Sequence, residues 1–332
     1  MGTRRKMCVG TSDGVVLLSE QASRWEVAGA SLPGRPIEDL VALTNGSIFC
    51  GVPHDGVYAS ADGGIHWDRV LEIDVRAMAA SLPKQPSTIY AATEPVGLYR
   101  TNDGGDSWEE IEALRQMPEE IQEQWFFPGD ESHDGHVKTI NVNPNDPLDI
   151  LLGIEHGGIV RTRDGGLTWE DLSAGIEYLD VHVVNRDPAQ AELFYATTAR
   201  GFYRSEHGGH DWILSQEGVT RDFFHDFVVR PGVASSLFLA TANGSPPSWI
   251  RDGGAKSAIY RSEDGARTWQ QLTGGLPESL EPMVWGLVGD PVDDARLYAA
   301  IGNGVWHSDD RGDSWGQIYE GSSALRTLSV SA

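Results

Sequence analysis

One eight-residue pattern, Ser/Thr-x-Asp-x-Gly-x-x-Trp, recurs six times with small departures, and it constrains the fold more than any other feature. The copies are residues 60–67 (SADGGIHW), 101–108 (TNDGGDSW), 162–169 (TRDGGLTW), 205–212 (SEHGGHDW), 262–269 (SEDGARTW) and 308–315 (SDDRGDSW). A shorter, degenerate copy occupies residues 19–25 (SEQASRW). The residue types suit a self-contained hairpin turn. An Asp carboxylate can accept hydrogen bonds from turn N–H groups, glycine supplies positive φ, and the Trp fills the space beneath. These aspartates are therefore expected to be structural rather than catalytic or metal-binding. His207 replaces the Asp in one copy and Ala266 the later Gly in another, so both hairpins are expected to be looser.

Ahead of most copies lie two strand-like segments with alternating apolar residues, for example Thr88-Ile-Tyr-Ala-Ala-Thr followed by Gly97-Leu-Tyr-Arg. Period-2 patterning between Gly and Asp turns reads as an antiparallel meander of four strands per unit. Four-stranded units repeated around an axis make a β-propeller. The tryptophans Trp25, Trp67, Trp108, Trp169, Trp212, Trp269 and Trp315 are spaced by 42, 41, 61, 43, 57 and 46 residues. The reading is an all-β, seven-bladed propeller, one domain over residues 1–332, with a basic unit near 42 residues and two insertions. The first unit lacks an inner strand, and the C-terminal Ala324-Leu-Arg-Thr-Leu-Ser-Val330 is expected to supply it and close the ring. A helix is expected only within residues 110–124.

Aligned inner strands begin on Glu38, Arg76, Lys138, His182, His225, Trp285 and Arg326. Inner strands surround the channel, so these seven side chains should form a ring. Five can be cationic, although the chain carries a net charge of −24. Neighbouring cations should lower both histidine pKa values and leave neutral imidazole to act as a base. The insertions map to the same face. Residues 111–136 carry Trp125, Phe126, Phe127 and Pro128, then Asp134 and His136; residues 242–257 carry Trp249, Arg251 and Lys256. Glu155, His156, Glu177, Tyr178 and Asp180 also map there, and the Asp turns map to the opposite face.

The charge balance, 49 acidic against 25 basic residues, repels phosphate backbones and anionic lipid, so neither nucleic acid nor membrane is an expected partner. No apolar run approaches the ~18 residues of a membrane span. The basic start lacks an apolar leader segment, and the expected location is the cytoplasm. Cys8 and Cys50 occupy strand positions that other units fill with Ala or Gly, so they read as small buried residues. A closed propeller needs no partner for stability, and a monomer is expected.

The eight-residue pattern is identified as the Asp box, or BNR repeat, and the chain resembles Asp-box propellers over nearly its whole length. That group includes sialidases, xyloglucan-type glycosidases, sortilin ectodomains and photosystem II assembly factors of the Ycf48 type. The likeness is strongest to bacterial BNR-repeat, "glycosyl hydrolase-like" proteins with similar Trp-Phe-x-Pro and Val-Trp-Gly-Leu segments, here Trp125–Pro128 and Val284–Leu287. The Arg-Ile-Pro segment of sialidases is absent, although Tyr178 beside Glu177 is sialidase-like. The resemblance implies a fold and leaves function to the site.

Two functions fit. In the first, the chain is a hydrolase or lyase for a small anionic or sugar-like substrate. His182 and His225 act as acid and base, and Glu38 orients one of them. Arg76, Lys138 and Arg326 hold the anion, Trp285 and Trp125 stack on the substrate, and Tyr178 joins them. No cofactor is required; a variant places a divalent metal on His136, His182 and His225. In the second, the propeller is a non-catalytic scaffold for a protein partner.

Overall fold

The computed structural model describes residues 5–22, 24–81, 88–126, 134–230 and 235–331. Phe127 and Pro128 lie outside the described residues. Seven four-stranded antiparallel sheets follow one another. Their inner strands are Leu325–Ser331, Asp39–Ala42, Val75–Ala80, His136–Val142, Val181–Arg186, Phe223–Arg230 and Val284–Gly289. Each inner strand touches the next, and the last touches the first, so the ring is closed. We number the blades 1 to 7 in that order. Blade 1 takes its inner strand from the chain end: Leu325–Ser331 pairs antiparallel with Lys6–Thr11. Arg5 reinforces this closure by bonding Asp290 of blade 7 and Glu20 of blade 1.

Six turns explain the repeated residue types. In every one, the Ser or Thr hydroxyl accepts the amide of the fifth position, as at Ser60–Gly64 (2.8 Å) and Thr162–Gly166 (2.8 Å). In the turn of blade 4, Asp164 accepts the amides of Leu167 (3.0 Å) and Thr168 (2.9 Å) and the Thr168 hydroxyl (2.6 Å). The Trp rings meet both their own hairpins and the preceding blade: Trp67 Nε1 donates to Gly64 O (3.0 Å) and Trp315 Nε1 to Gly312 O (3.1 Å) of their own turns, whereas Trp212 Nε1 donates to Leu172 O (2.7 Å) and Trp269 Nε1 to Ser215 O (2.9 Å) in the preceding blade.

The two departures behave differently. His207 offers its turn no carboxylate and instead meets Asp211 (2.9 Å). That is the pair of blade 2, Asp62 and His66 (2.6 Å), with the order reversed. The Ala266 turn, by contrast, keeps every Asp264 bond, and the substitution is felt as a left-handed φ of 68°. The expected loosening holds for the hydrogen bonding of the first turn and not of the second.

Helix is found where expected, at Glu112–Gln116 and Glu119–Gln122, and also at Pro246–Asp252 in the second insertion, which the strand-based reading missed. Its Pro at the start and Gly253 at the left-handed C-cap (φ 73°) are ordinary helix boundaries. Cys8 and Cys50 are free and buried, and burial pushes the Cys8 thiol up to about 12.

Candidate functional site

The seven ring residues, at or near the start of the inner strands, share a physical device. Six sit at β-bulges, where the register slips by one residue at Arg76, Lys138, His182, His225, Trp285 and Arg326. In blade 2, Glu38 N bonds Gly51 O (2.9 Å) while Asp39 pairs with the same Gly51. A bulge re-aims a side chain out of the strand's alternation. Repeated around the ring, the device turns one side chain per blade into the channel. All seven line a channel cavity of about 260 Å³.

The next position rivets neighbouring blades. Asp39 accepts Met78 N (2.8 Å) and Asp226 accepts Leu287 N (2.7 Å), each on the following blade. Thr139 donates to the His182 carbonyl and Thr327 to Asp39 (3.1 Å) in the same direction, and Thr197, on the second strand of blade 5, donates to the His225 carbonyl. Burial raises the Asp39 carboxyl to about 6 and that of Asp226 to about 7, against the pull of these amides. The sequence reading missed both aspartates, although each directly follows a ring residue.

A second, wider cavity of about 810 Å³ opens above the channel over blades 4 to 6 and shares Lys138, His182, His225 and Trp285 with it. Its walls come from the second-to-third-strand turns, carrying Glu155, His156 and Arg200, and from the entries to blades 5 and 6, carrying Tyr178, Asp180 and Asp222. Gly244 to Pro247, leading into the second-insertion helix, complete it. His182 and His225 are in edge contact, ring centroids 5.3 Å apart. Trp285 abuts His225 (5.1 Å), and Trp249 from the helix abuts Trp285 (5.8 Å).

The two histidines differ in environment. His182 Nδ1 donates to Phe224 O (2.6 Å), and its Nε2 faces Asp180 (3.5 Å). Burial alone would lower its pKa, but Asp180, Glu155 and the Phe224 carbonyl outweigh burial and raise it. Among the described residues no carboxylate pairs with His225. Burial, then the charges of His182 and Lys138, hold it well below the usual histidine value, and Glu155 only partly offsets them. The expected lowering of both histidines is therefore corrected for His182, because its two acidic neighbours were not weighed against the cations.

Other expected roles change. Lys138 pairs with Glu38 (3.2 Å), so Glu38 neutralises a lysine rather than orienting a histidine. Arg76 is held by Glu94 (2.9 Å) and Asp74 (3.4 Å). Arg326 has no ion pair among the described residues and lies over Trp285 (5.6 Å). Trp125 is buried, at 7% exposure, in the apolar core between blades 3 and 4 and reaches neither cavity. Tyr178 does line the mouth cavity, where the Arg200 guanidinium stacks on it (4.6 Å). The sequence reading did not single out Arg200, although it placed Glu155 and His156, in the equivalent turn of blade 4, on this face.

His136 does not join His182 and His225 as a metal ligand. Its nitrogens face Glu94 (3.5 Å) and Glu155 (3.2 Å), and it lines neither cavity. Among the described residues, Glu155, His156 and Asp180 have potential ligand atoms within 4.8 Å of one another. Glu155 already faces His136, and Asp180 faces His182, so both carboxylates have partners within the protein. Burial opposes ionisation of Glu155, but His136 and Lys138 outweigh it and keep the carboxylate charged.

Fold and site thus define a seven-bladed β-propeller with an aromatic, histidine-bearing pocket at the channel mouth. No protein-family model matches the chain. A xyloglucanase from Paenibacillus sp is 30% identical over 302 residues, covering 77% of this chain and 27% of that protein. The photosystem II assembly lipoprotein Ycf48 from Synechococcus sp. (strain CC9902) is 23% identical over 327 residues, covering 95% of this chain and 83% of that one. The chain thus spans less than a third of the length of the curated xyloglucanases it matches. Among solved structures, the GH74 enzyme of Niastella koreensis matches with a TM-score of 0.65 at 17% identity, covering 97% of this chain and 47% of that one. Ycf48 bound to a D1 peptide matches with a TM-score of 0.56 at 19% identity, covering 96% and 86%. These structural likenesses establish the propeller fold.

Proposed function

We propose that this Asp-box propeller is a hydrolase or lyase acting on a small sugar-like or anionic substrate in the mouth cavity. His182 serves as general acid and His225 as general base. The observation that carries this reading is the contrast within one histidine pair. Two imidazoles in contact at 5.3 Å are driven apart, one toward the protonated and one toward the neutral form. Paired groups whose environments separate their pKa values supply acid and base at one pH. His225 would take a proton from water or from the substrate. His182 would give one to the leaving oxygen, and the carboxylate of Glu155 would stabilise positive charge developing on the sugar. Trp285, backed by Trp249, lines the cavity with Phe223 and Tyr178 and offers an aromatic surface of the kind sugar rings stack on. The xyloglucanase relatives support a saccharide-like substrate.

A second reading is a peptide-binding scaffold. It is favoured by the Ycf48 relative, which aligns over most of both chains, and by a Ycf48 structure described as bound to a D1 peptide. The test is turnover of a panel of aryl glycosides and glycuronides by the wild type, His182→Gln and His225→Gln. Loss of at least a hundredfold in kcat in both variants, with folding retained, supports the enzyme. Wild-type inactivity on the whole panel, with peptide binding unchanged in both variants, supports the scaffold.

A further inference from the structure

The cations around the mouth are not equivalent. Lys138 is neutralised by Glu38, and Arg76 by Glu94 and Asp74. Arg200 is different. It is exposed at the rim of the mouth cavity, has no ion pair among the described residues, and lies with its guanidinium over the Tyr178 ring at 4.6 Å. In a chain of net charge −24 an arginine at a site rich in carboxylates would ordinarily be captured by one. Here the side chain rests on an aromatic face instead. Stacking fixes the plane of the guanidinium, lowers the cost of ordering it, and leaves its N–H edge free to donate two parallel bonds to a carboxylate.

The remaining charges select the anion. Lys138 is already offset by Glu38, so Arg200 is the lining cation without an ion pair among the described residues, and it faces Glu155, Asp180 and Asp222 across the cavity. A monoanion that pairs with Arg200 leaves no second negative charge to meet these three carboxylates, whereas a phosphate dianion brings one. We propose that Arg200, seated on Tyr178, is the carboxylate-binding residue of the mouth cavity, and that the sugar-like substrate is a uronic acid or an oligosaccharide ending in one. This rests on the pocket of the proposed function and names its substrate class. Arg326, over Trp285, belongs to the channel below and is not part of this clamp.

The experiment is calorimetric titration of the intact chain with D-glucuronate, D-galacturonate and trigalacturonate, against D-glucose and glucose 6-phosphate. Wild type should bind at least one uronate ligand, and at least tenfold more tightly than glucose or the phosphate. Arg200→Gln should abolish that preference, Arg200→Lys should restore only part of it, and Arg326→Gln should leave it intact. Circular dichroism and thermal melting check that each variant folds. The proposal is overturned if wild type binds no uronate or shows no preference for one, if Arg200→Gln keeps the preference, or if Arg326→Gln loses it. The two readings can fail separately. Uronate binding through Arg200 without turnover of any glycuronide removes the enzyme and keeps the clamp. Turnover of neutral glycosides that is unchanged in Arg200→Gln removes the clamp and keeps the enzyme.

Discussion

Replacing Asp264 by Ala should destabilise the chain measurably more than replacing His207, its counterpart in the preceding blade. Asp264 accepts four hydrogen bonds: from Arg267 N (2.9 Å), Thr268 N (2.9 Å), the Thr268 hydroxyl (2.6 Å) and the Ser262 hydroxyl (2.8 Å). A hydrogen bond to a charged group contributes about 1.5–3 kcal/mol in a buried setting. This turn is half-exposed, and water replaces much of what is lost, so roughly 0.5 kcal/mol per bond is the fitting scale. The expected cost of Asp264→Ala is about 2 kcal/mol. His207 makes a contact with Asp211 between two exposed side chains, and losing it should cost under about 1 kcal/mol. Urea unfolding followed by tryptophan fluorescence measures both, because a box Trp ends each turn. Hydrogen exchange supplies a local readout: in wild type the amides of residues 267 and 268 should exchange more slowly than those of 210 and 211. Equal exchange in the two turns, or equal costs for the two variants, would refute the claim that the carboxylate holds the hairpin together.

Three further outcomes are expected. The pH profile of kcat/KM should rise as His225 loses its proton at low pH and fall as His182 loses its own above the usual histidine range; His182→Gln should remove the alkaline limb. Asp226, raised to about 7, favours the folded state while protonated, so its contribution is complete below pH ~4 and is lost as pH rises through 7. Between pH 5 and pH 7 this amounts to roughly 2 kcal/mol, and chemical denaturation of Asp226→Asn should show a curve flatter than wild type by that much. Trp125→Ala should cost about 3–5 kcal/mol and leave ligand affinity intact, whereas Trp285→Ala should weaken saccharide binding with a smaller stability loss; melting and titration of each variant separate the two.

The blades were legible because one residue type, the box tryptophan, must recur wherever two blades pack together. The ring was legible for a related reason. Each of its members stands beside apolar residues, as in Val181-His182-Val183 and Val284-Trp285-Gly286, where simple alternation would leave it on the wrong face. What alternation cannot express is the bulge that resolves the conflict, since two residues opposing one is a property of a strand pair. Partners were less legible still. Glu38 and Lys138 are 100 residues apart and meet only because the ring closes. Trp125 shows the opposite failure. An aromatic residue in a long loop near a channel mouth can face ligand or core, and nothing in its neighbours decides between them.

Closure also settles how the channel can carry so many basic groups. Six bulges and the two-against-one pairing at Glu38 drive seven side chains into one narrow space, and an uncompensated cluster of cations there would be costly. The structure meets this by pairing two of the five, keeping His225 neutral, giving His182 the carboxylate of Asp180, and resting Arg326 on Trp285. Pairing within the ring makes it a wall rather than an anion trap. The wider cavity then forms where the repeats differ most. In blades 4, 5 and 6 the short loops carry Glu155 and His156, then Arg200, then the helix-bearing insertion, in place of plain turns. Seven near-identical units would build a channel without chemistry. It is the divergence of three adjacent units, on the face away from the Asp turns, that leaves a histidine pair beside an aromatic wall with one arginine free to bind.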